Sequence, residues 1–174
     1  RINYINELLD SIYKQTTLPE EIIIIFDDNE SCRNGSNKIK RRDNCIIIFT
    51  KNLNLPEKRN YGALVAKTKY LIFSDDDDIW ESEKGEKTIE ALQKNKVVAH
   101  SFSKFGSYSQ KTNFLLGKKK NIIPLIFLIF SSNIFGGGSA IAVWKEVVIT
   151  IPFNKSFSYC EDYEWWIRVF LADI

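Results

Sequence analysis

The amino-terminal half of the chain consists of alternating blocks in which apolar residues follow helical or strand-like spacing. At its start, apolar side chains recur every three or four positions, at Ile5, Leu8, Leu9 and Ile12. This spacing predicts an amphipathic opening helix, with Asn3 as its cap.

Three short apolar runs predict buried strands. Residues 21–26 are almost continuous isoleucine, which is typical of a strand covered on both faces, and residues 46–49 and 70–74 are similar runs bounded by polar residues. Between the runs, Pro56 occupies an expected first helical position, and residues 82–94 have the composition of a charged helix. Because strands and helices alternate, we predict an α/β fold with a mostly parallel sheet.

Acidic side chains follow two of the predicted strands. Asp28 comes just after the first strand, and four consecutive aspartates, Asp75, Asp76, Asp77 and Asp78, follow the third. Right-handed crossovers place the carboxyl ends of parallel strands at one edge, so these carboxylates are expected to face one crevice.

The four neighbouring carboxylates predict a bound cation. Two carboxylates ~4 Å apart repel by roughly 4 kcal/mol at an effective dielectric of ~20. A hard divalent cation such as Mg²⁺ or Mn²⁺ would offset this repulsion and commonly bridges carboxylates to phosphates. The alternative is a solvated acidic turn that caps the next helix.

The second half of the chain is less regular. Residues 97–102 predict a strand, and residues 103–120 predict a polar excursion. Three glycines at residues 136–138 allow either a close approach of the backbone to a ligand or a plain turn, since they lack the spacing of a phosphate-binding loop.

A second acidic motif lies near the carboxyl end of the sequence. Asp162 is predicted in the first turn of a helix, with Trp165 and Trp166 three and four residues further on. Partial desolvation by these rings would raise the pKa of Asp162, as a general base working near neutral pH requires. An acidic helix cap above a tryptophan core is the alternative.

Composition limits the broad class of the protein. The chain has 174 residues, 44% hydrophobic and 26% charged, with a net charge of +2, which fits a single domain and implies no polyanionic partner. Its three cysteines lack C-x-x-C spacing, so we expect no disulfide framework and no zinc site. The apolar segment at residues 122–130 is shorter than the ~20 residues that span a bilayer. Because the chain contains no methionine, we expect one domain over residues 1–174 that is truncated at both ends.

Taken together, these motifs resemble the inverting GT-A glycosyltransferases of family 2. The resemblance is carried by residues 22–29, residues 57–63, residues 70–80 and the pair Glu161 and Asp162. It implies a GT-A (Rossmann-like) three-layer α/β/α fold with a mostly parallel central sheet. Family members usually have an apolar strand before the position of Arg1, so the resemblance also implies that this chain lacks the first strand.

The same resemblance implies an activity and a set of site residues. The enzyme would be an inverting transferase of the hexosyltransferase type, moving a sugar from a nucleotide-diphosphate sugar, expected to be a UDP-sugar, to a hydroxyl of a glycan or lipid-linked acceptor. Asp162 would be the catalytic base. The residues implied to bind the nucleotide-sugar are Asp28, Arg59, Asp75 and Asp76. Asp75 and Asp77 would be the outer residues of a D-x-D motif that holds Mn²⁺ or Mg²⁺.

Two other functions stay open on the sequence. One is a nucleotidyltransferase that makes sugar nucleotides, although it would need a glycine-rich phosphate loop near the amino end. The other is a non-catalytic, metal-dependent glycan-binding module. We expect no nucleic-acid partner and a cytoplasmic location, with peripheral association at the inner face of the cytoplasmic membrane as the open alternative.

Overall fold

Helices and strands alternate along the chain in the computed structural model, which describes residues 1–105, 108–115 and 137–172. The helices are α1 (Ile2–Ile12), α2 (Glu30–Ser36), α3 (Leu55–Val65), α4 (Lys84–Leu92), α5 (Lys145–Thr150) and α6 (Glu161–Leu171). The strands are β1 (Ile22–Asp27), β2 (Cys45–Thr50), β3 (Tyr70–Ile72), β4 (Val97–Phe105), β5 (Tyr108–Leu115) and β6 (Ile141–Trp144), the last preceded by a 3₁₀ turn (Gly138–Ala140). The predicted α/β class is confirmed.

The described strands form two sheets. β1 and β2 pair in parallel, and the larger sheet has the order β3-β6-β4-β5. β6 runs antiparallel to both β3 and β4, so these two neighbours point the same way. The backbone N–H of Phe73 donates to the carbonyl of Ile141 at 2.9 Å, which places the start of β6 beside the end of β3. β6 therefore enters at the carboxyl edge of β3 and runs back through the sheet.

A large cavity separates the two sheets. It has a volume of about 1490 Å³ and is lined by the apolar residues of β1 and β3 and by one face of α1. Arg1 lies at the end of the cavity that is next to the carboxyl end of β3, where its guanidinium is 3.4 Å from a carboxylate oxygen of Asp76.

The main hydrophobic core lies between the larger sheet and the helices α3, α5 and α6. Trp165 and Trp166 of α6 are completely buried in it, together with Ile141 and Val143 of β6. Phe153 stacks on Trp165, with ring centroids 4.8 Å apart. Burial of two adjacent tryptophans fixes the middle of α6 to the sheet.

Several local features differ from the sequence prediction. α1 begins at Ile2 with Arg1 at its N-cap, so the prediction of Asn3 as cap was wrong. The predicted loop after β1 contains α2, because the side chain of Asn29 accepts a hydrogen bond from the Cys32 N–H at 2.8 Å and caps a helix of mostly polar residues. Part of the expected polar excursion forms β5, which pairs antiparallel with β4. The apolar segment at residues 122–130 lies outside the described residues.

Candidate active site

Acidic residues from distant parts of the chain meet at the carboxyl end of the cavity between the sheets. Asp75, Asp76 and Asp77 line this cavity together with Asp162 and Arg59. The cavity lining thus brings three aspartates of the predicted crevice together with Asp162, which lies 87 positions after Asp75, whereas Asp28 and Asp78 are not part of the lining.

Asp28 lies at the same edge of the sheet but outside that lining. Its carboxylate is 2.6 Å from Nε of Arg33 and 3.9 Å from Nζ of Lys51. The hydrogen bond from Arg33 holds the pKa of Asp28 below its usual value. The guanidinium of Arg33 also lies 4.7 Å from the centroid of the Phe49 ring. A ligand that hydrogen-bonds Asp28 would compete with Arg33, a residue of the helix α2 that the sequence did not predict.

The loop after β3 is held by the turn before β6. The backbone N–H of Asp75 donates to Oγ of Ser139 at 2.7 Å, and Nζ of Lys84 donates to the carbonyl of Ser139 at 3.1 Å. The ammonium of Lys84 also lies 4.6 Å from the Trp80 ring. Burial lowers the pKa of Lys84 to about 8, against the opposing attraction of Asp78 and Asp75. Residues 137–140 therefore form a turn that packs against the acidic loop.

Arg59 connects the two acidic segments of the site. This residue of α3 is only 8% exposed. Its Nη1 donates to Oε1 of Glu161 at 2.6 Å, and its Nη2 to Oδ1 of Asp75 at 3.3 Å. Both carboxylates bind the one guanidinium, so Arg59 fixes the start of α6 relative to the loop after β3.

Asp162 lies in the first turn of α6, as predicted. Its Oδ1 accepts a hydrogen bond from the Tyr163 N–H at 2.7 Å. Burial raises the pKa of Asp162 above its usual value, and the negative charge of Glu161 adds to the rise, while Arg59 acts against it. The raised pKa agrees with the direction predicted from the sequence.

The carboxylates of the loop suit a hard cation. No group of three or more His, Cys, Asp and Glu side chains in the described ranges is arranged to hold a metal by itself. Mg²⁺ commonly uses only one or two protein carboxylates and completes its shell with phosphate oxygens and water. Asp75 pairs with Arg59, whereas Asp77 has no ion-pair partner in the described part of the chain. Asp77 and the second oxygen of Asp75 therefore fit a cation that a diphosphate brings with it.

A comparison with protein families agrees with this arrangement. The sequence model described as Glycosyl transferase family 2 matches residues 1–151. The chain belongs to this family. The resemblance stated from the sequence implied both this membership and the GT-A fold.

Similar curated proteins include two glycosyltransferases of Escherichia coli. The chain is 26% identical over 168 residues to the UDP-Glc:alpha-D-GlcNAc-diphosphoundecaprenol beta-1,3-glucosyltransferase WfgD, covering 95% of this chain and 64% of that protein. It is 29% identical over 175 residues to a UDP-Gal:alpha-D-GlcNAc-diphosphoundecaprenol beta-1,3-galactosyltransferase, covering 95% of this chain and 62% of that protein. The chain thus spans less than two thirds of the length of each relative.

Solved structures show the same fold. The S. aureus TarS 1-349 structure in complex with UDP superposes with a TM-score of 0.65 at 17% identity, over 97% of this chain and 52% of that chain. Among the described residues of this family 2 glycosyltransferase, no helix has the length and apolar character needed to cross a membrane.

Three residues that lie in the candidate site were not identified from the sequence. Arg33 and Ser139 hydrogen-bond Asp28 and the backbone of Asp75, whereas Lys84 bonds the Ser139 carbonyl and attracts Asp78 and Asp75 through space. Lys84 follows the acidic run by six positions, so its charge was a signal in the sequence. Ser139 and Arg33 gave none, because their contacts depend on the antiparallel entry of β6 and on the unpredicted helix α2.

Proposed function

We propose that this family 2 glycosyltransferase is an inverting, metal-assisted enzyme that transfers a sugar from a UDP-sugar to a hydroxyl of a glycan or lipid-linked acceptor. The proposal rests mainly on one observation. Asp162, a half-buried carboxylate with a raised pKa, lines the same cavity as Asp75, Asp76 and Asp77. The aspartates of the loop after β3 would thus hold the donor diphosphate, while Asp162 accepts a proton from the acceptor.

The names of the relatives support the choice of substrates. Both E. coli relatives are named for UDP-sugar donors and for GlcNAc-diphosphoundecaprenol acceptors, and the superposed TarS structure holds UDP. A UDP-sugar donor and a lipid-linked glycan acceptor are therefore our first choice for this chain. A lipid-linked acceptor would bring the enzyme to the inner face of the cytoplasmic membrane.

The proposed reaction is a single displacement. The carboxylate of Asp162 takes the proton of the acceptor hydroxyl while the hydroxyl oxygen forms a bond to the anomeric carbon of the donor sugar. The bond from that carbon to the diphosphate oxygen breaks on the opposite side, its electron pair leaves with the nucleoside diphosphate, and the configuration inverts. A bound Mn²⁺ or Mg²⁺, held by Asp75 and Asp77, would offset the charge on the leaving diphosphate.

Other residues would bind and orient the donor. Asp28 is proposed to accept a hydrogen bond from the uracil base, after Arg33 has turned away from it. Asp76, which pairs with Arg1 at the cavity edge, is proposed to contact the ribose or its phosphates. The proposed donor contact of Arg59 would be made from a guanidinium that already binds Glu161 and Asp75.

Replacing the proposed base tests the chemistry. Asp162→Asn should lower sugar transfer by about 10²- to 10⁴-fold, the usual contribution of a general base, while calorimetry shows UDP and Mn²⁺ binding close to that of the wild type. Glu164→Gln, a carboxylate replacement on the same helix that pairs with Arg168 outside the site, is the matched control. Unchanged transfer by Asp162→Asn would remove the base assignment, whereas sugar binding without any transfer by the wild type would favour a glycan-binding module.

A ligand panel tests the donor and the metal together. Thermal shifts would be measured with UDP, UDP-glucose, UDP-galactose and UDP-GlcNAc, each with Mn²⁺ and with a chelator. We expect one UDP-sugar to raise the melting temperature, and only when Mn²⁺ is present. Equal shifts with the chelator would rule out the proposed metal dependence, and no shift with any UDP ligand would rule out the donor class.

A further inference from the structure

The ion pair between Arg59 and Glu161 joins segments that are 102 positions apart in the chain. Both side chains are nearly removed from water, with 7% of Arg59 and 10% of Glu161 exposed. Removing one member of such a pair leaves a buried charge without its partner, so neither residue is replaceable at little cost. The pair lies beside the proposed base, because Glu161 immediately precedes Asp162 at the start of α6.

The helix that carries Arg59 is itself held in place independently of this pair. Asn60, the next residue of α3, donates from Nδ2 to the carbonyl of Phe153 and accepts from its N–H, both at 2.8 Å. The guanidinium of Arg59 lies 5.5 Å from the ring centroid of the same Phe153. Arg59 is therefore an anchor with little freedom to follow a displaced Glu161.

The glycine turn closes around the guanidinium. A Cβ atom on Gly138 would lie 2.0 Å from Nη2 of Arg59, a distance that real Cβ atoms essentially never show, and 3.2 Å from Oδ1 of Asp75, which is tighter than most Cβ contacts. A Cβ on the neighbouring Gly137 would lie 3.7 Å from Oδ2 of Asp162, which is ordinary contact. The turn thus packs on Arg59 and on the proposed base at the same time.

Few other contacts stabilise the start of α6. Its N-cap residue, Cys160, has a left-handed backbone with φ 55° and makes no side-chain capping bond. The Glu164 N–H donates to the Cys160 carbonyl at 3.0 Å, and the first turn also carries three acidic side chains, those of Glu161, Asp162 and Glu164. The guanidinium of Arg59 is the positive charge that balances these acidic side chains at this end of the helix.

We propose that Glu161 is a positioning residue: by holding Arg59 it fixes the first turn of α6, and so keeps the carboxylate of Asp162 facing the acidic loop of Asp75. This inference rests on the proposed function, in which Asp162 is the base. It adds a role for Glu161. It also gives Arg59 a second role, which is to link the start of α6, where the proposed base lies, to the loop of Asp75, where the donor would bind.

The test compares Glu161→Ala and Glu161→Gln with Glu164→Ala. Glutamine keeps an oxygen that accepts the Nη1 hydrogen of Arg59, whereas alanine removes it. Glu164 is the matched control, because it pairs with Arg168 on the same helix and has no contact with Arg59. We expect Glu161→Ala to lower kcat by about 10²-fold, the loss typical of a misplaced catalytic group, with the KM for the donor within about threefold. Glu161→Gln should restore most of kcat, and Glu164→Ala should equal the wild type.

Hydrogen exchange supplies a readout that needs no activity. The amides of Tyr163 and Glu164 should exchange at least about tenfold faster in Glu161→Ala than in the wild type, and close to the wild-type rate in Glu161→Gln. Wild-type kcat and wild-type exchange in Glu161→Ala would overturn the inference. So would a full loss of kcat in Glu161→Gln with its helix still protected, since that result would make the charge itself catalytic.

The two proposals fail in different ways. If the wild type transfers no sugar from any UDP donor, the proposed function fails, and the exchange rates still decide whether Glu161 fixes the helix. If the wild type is active and Glu161→Ala is equally active, the function stands and the positioning role does not. If alanine melts the whole chain, the glutamine variant decides, through its kcat and its exchange rates.

Discussion

Lys84 is a cation that folding places largely out of water. Its ammonium donates a hydrogen bond to the Ser139 carbonyl and is attracted through space by the carboxylates of Asp78 and Asp75. Burial outweighs this attraction and lowers its pKa from 10.5 to about 8. The folded protein therefore binds fewer protons at this site than the unfolded chain between pH 8 and pH 10.5.

This proton balance predicts how stability depends on pH. Because the unfolded state binds more protons in that window, the free energy of unfolding should rise with pH there, by about 3 kcal/mol in all from this group. Urea unfolding of the wild type and of Lys84→Met, from pH 7 to pH 10.5 with a chelator present, measures the effect. As the pH rises, the free energy of unfolding of the wild type should increase relative to that of Lys84→Met. Parallel curves of unfolding free energy against pH would contradict the prediction.

The two glycines of the turn give a second prediction at this scale. Gly138→Ala should lower the free energy of unfolding by about 1–3 kcal/mol, as overpacking does, because the guanidinium that blocks its Cβ is held by two carboxylates. Gly137→Ala is the matched control, since its Cβ would make only ordinary contact at 3.7 Å. Chemical denaturation of both variants checks this, and equal stabilities would show that Arg59 moves aside freely.

At the scale of elements, α3 begins with a complete capping box. The side chain of Asn54 accepts from the Glu57 N–H at 3.1 Å, and the Glu57 carboxylate accepts from the Asn54 N–H at 3.0 Å. The amide of Asn54 also donates to the carbonyl of Lys155 at 2.8 Å, so the cap ties this helix to the segment before α6.

Loss of this cap should cost more than loss of an ordinary one. Asn54→Ala is expected to lower the free energy of unfolding by about 2 kcal/mol, the upper end for a helix cap, because it removes a tertiary bond as well. Asn29→Ala, which removes the cap of the short exposed helix α2, should cost about 1 kcal/mol or less. Similar losses in both variants, measured by urea denaturation, would mean that the bond to Lys155 adds nothing.

The elements that could be predicted are those with a local signal. The isoleucine run of β1, Pro56 at the start of α3 and the aspartates after β3 each stand out in a few consecutive residues. The pairing of β4 with β5 could not be predicted, because the expected loop is polar and its strands are stabilised by each other. The direction of β6 depends on its neighbours β3 and β4, which no short stretch of sequence encodes.

The candidate site divides in the same way. Asp75, Asp77 and Asp162 were found from the motifs in which they occur, whereas the bond from Arg59 to Glu161 depends on packing between positions far apart in the chain. Glu161 was noted only as a neighbour of Asp162. Its burial, and the space that Gly138 leaves for the guanidinium, follow from the tertiary structure alone.

For the whole molecule, the largest structural consequence comes from the cavity between β1 and β3. It interrupts the hydrogen bonding between the two sheets, so the described strands do not form one continuous sheet. We expect the chain to be poorly stable and weakly active by itself. Addition of an apolar strand of about six residues before Arg1 should raise the urea midpoint, sharpen the transition and strengthen UDP binding.

An extension of equal length made of glycine and serine is the control for this experiment. It adds the same chain length without residues that favour a strand, so it should leave the urea midpoint unchanged. The prediction would be contradicted if the original chain already melted cooperatively and bound UDP tightly, with no gain from the apolar extension.

The same opening bears on how the protein behaves at high concentration. On the side facing the cavity, β1 and β3 present backbone amides and carbonyls with no partner strand among the described residues. Such borders are templates on which another polypeptide can add by edge-to-edge pairing. At high protein concentration we therefore expect intermolecular β-pairing at these edges.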